Sequence, residues 1–199
     1  MTLPLDCLVC RPTALDQLLA SEPGFVASWM ALPRKRLAAK EVLLALGAMV
    51  NSTWRVERGL VRSYYRGDDG AESNRAFHAE NSWLGCGMPP HPSVCPFTLE
   101  AITATVVVQL DYDVLRQWQM QYPAIRPALD EAMSCLFSGQ SKREAALLTL
   151  APIDRYRAFL ADHGDLASRI PQHHIASYLG ITSVSLSRIR ARLGLIQPA

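Results

Sequence analysis

Apolar residues recur with two different periods along this chain, and the changes of period divide it into three stretches. Residues 13–30 follow a helical period, with Leu15, Leu18 and Leu19 on one face and Pro23-Gly24 as a break. Beyond them the pattern shortens to β-type segments at residues 41–44, 52–56, 59–65, 72–78 and 102–110, separated by turn residues. Gly67-Asp68-Asp69-Gly70 is a strong hairpin turn between two of these. Many short strands with such turns predict a small antiparallel barrel or jelly roll.

From Asp111 the helical period returns. Asp111-Tyr112-Asp113 can cap a helix running to Gln121, Pro123 restarts one, and residues 124–150 are long enough to cross the molecule. Ile125, Leu129, Ala132, Leu136, Gly139, Arg143, Ala146 and Leu150 fall at alternating steps of four and three, which is coiled-coil spacing. Gly139 and Arg143 interrupt that seam, so a second reading stands beside it: a single helix packed on its own barrel. Ala151-Pro152 forms a hinge before a further helix at residues 154–162.

The segment from Ile170 to Leu195 carries the most specific signal, two short helices joined by a tight turn. Ile175, Ala176 and Leu179 form a buried stripe, Gly180 supplies a residue able to take positive φ, and Thr182 caps the second helix. That helix buries Leu186, Ile189 and Leu193 and presents Ser183, Ser185, Ser187, Arg188, Arg190 and Arg192, hydroxyls and guanidinium forks suited to phosphates and guanine edges. From Ser168 onward there are four arginines and no carboxylate, whereas the whole chain carries +2, so −2 remains for everything before. Such local charge is what DNA docking requires; the plainer alternative is an amphipathic hairpin with a solvated basic face. No apolar run approaches a membrane span and the start lacks the order of a signal peptide, which predicts a cytoplasmic protein without membrane contact. Five cysteines at irregular spacing predict reduced thiols.

The order of these parts resembles the Crp/Fnr family of bacterial transcription regulators. The pieces that carry the resemblance are Glu57-Arg58-Gly59-Leu60-Val61-Arg62-Ser63-Tyr64-Tyr65 with Asp68-Asp69-Gly70, and Ile175 to Thr182 with Leu186-Ser187-Arg188-Ile189-Arg190. The resemblance implies an α+β chain: a double-stranded β-helix of the jelly-roll, cyclic-nucleotide-binding-like kind at 1–112, helices including a long dimerisation helix at 113–150, and a winged helix-turn-helix with a truncated wing at 151–199. It further implies a homodimer through Ile125, Leu129, Ala132 and Leu136, a palindromic operator in double-stranded DNA, and RNA polymerase as a partner. Carried over by position, Gln172 and His173 touch phosphate, and Ser183, Val184 and Arg188 read bases. Only Arg188 keeps a strong readout group, while Val184 can meet a thymine methyl. The wing is reduced to residues 195–199.

The effector site departs from that pattern. Within Trp83-Leu84-Gly85-Cys86, Cys86 stands where cyclic-nucleotide binders carry a glutamate, and Cys95-Pro96 stands where they carry an arginine pair. Residues 87–92 offer no replacement cation, so cyclic nucleotide binding is disfavoured, no cofactor is expected, and the effector is open. Cys86 and Cys95 form either a redox or soft-metal pair with His91 or two small buried hydrophobes beside a vestigial pocket. Cys7 and Cys10 make a lone Cys-x-x-Cys, two thiols where the iron–sulfur members of the family gather a fuller N-terminal cluster, and no metal is assigned. A cupin-type enzyme would need several inward histidines, and the β region has His78 and His91 alone. A dimeric ligand- or redox-sensing interaction protein that has lost specific DNA binding is the other alternative.

Overall fold

The computed structural model describes residues 13–164 and 166–195. Helices α1 (Thr13–Ser21) and α2 (Pro23–Met30) meet at Pro23, whose ring fixes the first turn of α2 and ends α1. Ten strands follow: β1 (Arg34–Leu37), β2 (Val42–Leu44), β3 (Met49–Val50), β4 (Ser52–Arg58), β5 (Val61–Arg66), β6 (Glu72–His78), β7 (Trp83–Leu84), β8 (Ser93–Val94), β9 (Thr98–Ala101) and β10 (Thr105–Asp111). They form two four-stranded sheets, ordered β1-β10-β4-β7 and β2-β9-β5-β6, with the β3-β8 ribbon beside them. Every pairing is antiparallel, as in a jelly roll.

The β5–β6 hairpin closes where the turn chemistry predicts. Gly67 N donates to Ala71 O at 2.9 Å, and the Asp69 carboxylate accepts from Ala71 N. At the β4–β5 turn Gly59 sits at φ +112°, and a Cβ there would lie 2.4 Å from the Thr105 hydroxyl, so only glycine fits. Strand β4 buries five successive residues, Ser52 to Val56, because it lies inside its sheet with both faces covered. Its polar Thr53 is satisfied by donating to Leu84 O at 2.7 Å.

Several short strands, β1, β3, β7, β8 and β9, had no counterpart in the sequence pattern; two to four residues are too few to display a period. The cap at Asp111 also differs from expectation. Helix α3 (Tyr112–Gln121) begins there, but the Asp111 carboxylate accepts from the Ser52 hydroxyl at 2.7 Å and Gln109 Nε2 at 2.8 Å instead of its own first turn.

Helices α2 and α3 and the start of α4 (Ile125–Thr149) clasp the β-roll. Phe25 packs edge-on against Trp118 and Tyr122, with centroids 4.7 and 5.2 Å apart, and Ile125 is buried in the same core. The long helix therefore spends the N-terminal part of its apolar stripe on its own barrel. Ile125 is enclosed and Leu129 packs against the same core, while Leu136 is at the margin of exposure and Phe137 is 73% exposed. An uninterrupted dimer seam beginning at Ile125 is thus not what this helix offers; the face with coiled-coil spacing is already covered at one end.

The remaining helices, α5 (Pro152–His163), α6 (Leu166–Arg169), α7 (Gln172–Tyr178) and α8 (Ser183–Arg192), surround a second core. Tyr156, Phe159, Ile175, Tyr178 and Leu186 build it, and Leu60 and Phe77 of the β-roll belong to it too. Among the described residues no helix is long and apolar enough to cross a membrane. Cys86 and Cys95 are free thiols, as the sequence predicts for them. Cys7 and Cys10 lie outside the described residues.

Candidate nucleic-acid interface and effector cavity

The α7–α8 turn is built by local chemistry. Gly180 takes φ +66°, and Ile181 N reaches back to Ala176 O at 3.0 Å. The Thr182 hydroxyl accepts from Ser185 N at 3.1 Å, capping α8. Ile175, Ala176, Leu179 and Leu186 are buried; Ile189 and Leu193 pack at the edge, half-buried. This fixes which side of α8 faces outward.

Gln172, His173, Ser183, Val184, Ser187, Arg188 and Arg192 are exposed, Val184 at 61%. Ser185 is half-buried, its hydroxyl 2.9 Å from that of Thr182. Arg190 is half-buried as well, with its Nε enclosed and unpartnered. The four arginines therefore divide. Arg169 is bound by the β-roll, NH1 and NH2 each donating to Glu80 at 2.8 Å and NH2 to Gly59 O at 3.2 Å. That fork holds the Glu80 carboxyl down at about 2, below its ordinary 4.5. Arg188 and Arg192 remain outward.

Sequence reasoning missed how α7 sits on β6. Asn74 N donates to the Ser177 hydroxyl at 3.0 Å, Ser177 Oγ donates to Glu72 O at 2.7 Å, and Asn74 Nδ2 donates to His174 O at 3.0 Å. Beneath them Arg62, its side chain 5% exposed, donates to Glu100 at 2.9 Å, Glu72 at 2.6 Å and Asn74 Oδ1 at 3.2 Å. Its NH1 lies 3.4 Å from His174 Nδ1, and its guanidinium stacks 4.0 Å from the Tyr64 ring. Burial, then the Arg62 charge, pushes the His174 imidazole down to about 4. Arg143 of α4 closes the junction from the third side, donating to Asn74 O at 2.8 Å and Tyr178 O at 3.0 Å.

The second site is a cavity of about 380 Å³ between the β-roll and α4. Trp83, Gly85, Cys86 and Pro96 line it, with Ile125, Leu129, Ala132 and Leu136 on the helical wall. Cys95 is fully buried behind it, its thiol donating to Phe97 O at 3.1 Å; burial pushes that thiol up to about 11, and Cys86 beside it adds to the shift. The loop of residues 87–92 supplies no cation, as its sequence indicates, but Arg75 reaches the cavity from β6. Its guanidinium lies 4.7 Å from the centre of the Phe97 ring. Neighbouring His78, whose Nε2 is 3.3 Å from the Ser63 hydroxyl, is driven down to about 3 by burial and then by Arg75, so it is neutral. Among the described residues no group of three or more histidine, cysteine or acidic side chains is gathered to hold a metal. His91 is exposed and does not line the cavity.

No family model matches the chain. It is 23% identical over 173 residues to the Anaerobic regulatory protein of Haemophilus influenzae and 25% identical over 166 residues to the Transcriptional activator protein Anr of Pseudomonas protegens. These matches cover 80% and 76% of this chain, and in each case 66% of the relative, so the chain spans just under two thirds of the length of these relatives. Among solved structures it superposes on FixK2 from Bradyrhizobium japonicum with a TM-score of 0.76 at 19% identity, covering 85% of this chain and 90% of that one. CooA from Carboxydothermus hydrogenoformans gives 0.72 at 16% identity over 89% of this chain and 83% of that one. The chain has the Crp/Fnr fold, a cyclic-nucleotide-binding-like β-roll joined to a helix-turn-helix, and over about four fifths of its length it is similar in sequence to Fnr- and Anr-type regulators.

Proposed function

We propose that this chain is a cytoplasmic DNA-binding transcriptional regulator of the Crp/Fnr type, not an enzyme, that reads a roughly palindromic operator as a homodimer and engages RNA polymerase. The observation that carries the reading is the outward face of α8. A capped helix fixed by Leu186 presents Ser183, Val184, Ser187, Arg188 and Arg192 to solvent with no carboxylate in α8. Self-association uses the part of α4 that the β-roll leaves open, around Leu136 and Phe137. The β-roll cavity is sensory, and its effector is not a cyclic nucleotide: Cys86 and Cys95 stand where a ribose and a cyclic phosphate need polar partners.

Selection from random duplex DNA tests the reading, followed by titration of the selected operator at fixed salt. Arg188→Ala weakens specific binding by about 1–3 kcal/mol and relaxes discrimination at one base pair per half-site. Arg192→Ala weakens all sequences evenly and lowers the salt slope by about one. Arg190→Ala also removes packing, since that side chain is half-buried, so Arg192 is the cleaner probe of phosphate contact. Recovery of no preferred sequence, or equal effects of Arg188 and Arg192, overturns it.

A further inference from the structure

We infer that the reader, α5 to α8, is fixed on its own β-roll in the orientation that binds DNA. Asn74 and Arg143 are then positioning residues for operator recognition, and α4 alone sets the spacing between half-sites. This rests on the reading of α8 as the DNA-contacting helix and adds what aims it. Strand β6 is the outer strand of its sheet and pairs only with β5. The free edge of such a strand presents backbone groups that need partners. Here α7 covers it. The Ser177 hydroxyl accepts from Asn74 N at 3.0 Å and donates to Glu72 O at 2.7 Å, while the Arg143 guanidinium donates to Asn74 O at 2.8 Å. Three backbone groups of β6 are therefore satisfied from outside the sheet, two by one hydroxyl of the reader and one by α4.

Arg143 also donates to Tyr178 O at 3.0 Å and lies 4.7 Å from the centre of the Tyr178 ring, so strand, long helix and reader meet at one side chain. A second tie joins Arg169 of α6 to Glu80 and to Gly59 O. Leu60 and Phe77 enter the reader's core as well. Two separate polar ties and a shared core resist rotation as well as lifting. Raising α7 strips the partners from buried Asn74 and opens that core in the same step. None of these contacts uses α8, whose Ser183, Val184, Arg188 and Arg192 stay outward while the ties are made. Docking and DNA reading are thus compatible, and the Ala151-Pro152 junction need not swing. One base pair added between half-sites moves one of them about 3.4 Å along the duplex and turns it by about 35°. A tethered reader can follow that displacement; a fixed one cannot.

Two measurements on the full chain test this, the first without DNA. Amide hydrogen exchange followed by nuclear magnetic resonance reads the Asn74 N–H, which is freed when α7 lifts from β6. In the wild type its protection is expected within about threefold of that of the β5 ladder amides, and in Arg143→Met with Glu80→Gln about tenfold or more lower. For the second, the selected operator is rebuilt with one base pair inserted or removed between half-sites. The wild type is expected to lose about tenfold or more in affinity and the double variant about threefold or less. Simple destabilisation lowers every spacing alike, so the ratio between spacings is the readout; Glu80→Gln alone, at a partly exposed tie, serves if the double variant does not fold. The inference is overturned if Asn74 exchanges tenfold or more faster than the ladder in the wild type, if the wild type tolerates the altered spacings, or if the variant matches the wild type in either measurement. Recovery of no operator overturns the DNA-reading function instead, and the exchange result still decides whether the reader is fixed.

Discussion

Replacing Arg62 with alanine is the sharpest perturbation of the junction between sensor and reader. The guanidinium holds Glu100, 14% exposed, and Glu72, 30% exposed, and it also orients Asn74 and lies against His174. Glu72 keeps a second partner in Arg66 at 3.1 Å, but Glu100 has no other cation within ion-pair distance among the described residues. Truncation therefore leaves a largely buried carboxylate uncompensated and frees Asn74 Oδ1. Breaking a buried pair from one side costs about 3–5 kcal/mol. Arg62→Met with Glu100→Leu removes both charges together and restores stability to within about 1–2 kcal/mol of wild type, the remainder being the hydrogen bond lost by Asn74.

Urea unfolding followed by two probes measures this. All four tryptophans, Trp29, Trp54, Trp83 and Trp118, belong to the β-roll and the helices that clasp it, so their fluorescence reports that half. Far-ultraviolet circular dichroism is dominated by the helices, α5 to α8 included. In the wild type the two curves coincide because Leu60 and Phe77 join the second core. In Arg62→Ala they move to lower urea and separate. A loss below about 1 kcal/mol, or a double variant no better than the single one, refutes the assignment of the cost to a stranded carboxylate.

Phe77→Ala, which removes a ring 6.3 Å from Phe159 and 5.5 Å from Tyr178, costs about 3–5 kcal/mol and also separates the two curves. Stability falls between pH 6.5 and 4, because His174 and His78 have folded values of about 4 and 3 below the ordinary 6.5, so the unfolded chain takes up their protons first. Each contributes at most about 1.4 kcal/mol per pH unit, with His174 discounted for its partial exposure; His174→Asn flattens the slope, and an unchanged slope contradicts this account. Below about pH 4.5 Glu80, Glu72 and Asp111 act in the same direction, since their folded values are depressed and their stabilisation is lost as they protonate. Phe137→Asp converts a dimer to monomer by light scattering with little change in monomer stability, because the ring is exposed within the chain; a dimeric variant places the interface elsewhere.

What could be read in the sequence was what is local. The α7–α8 pair was legible because Gly180, Thr182 and Leu186 each act within one or two turns, and the outward set on α8 follows from the helical period alone. The β5–β6 hairpin was legible for the same reason, its turn being written in Gly67 to Gly70. The junction was not. Asn74 and His174 are 100 residues apart, Arg62 and Glu100 are 38 apart, and nothing in the neighbourhood of either residue marks the other. Arg143, which interrupts an apolar seam when α4 is read by itself, is explained only by the carbonyls of Asn74 and Tyr178 that it bridges. Likewise Arg75 looks like an ordinary exposed position on an edge-lying strand until α4 crosses over it and makes a cavity wall. In each case a charged residue that violates the local pattern is the residue that connects two elements. A guanidinium in an apolar setting stays there only if a distant part of the fold, or a ligand, supplies its partner.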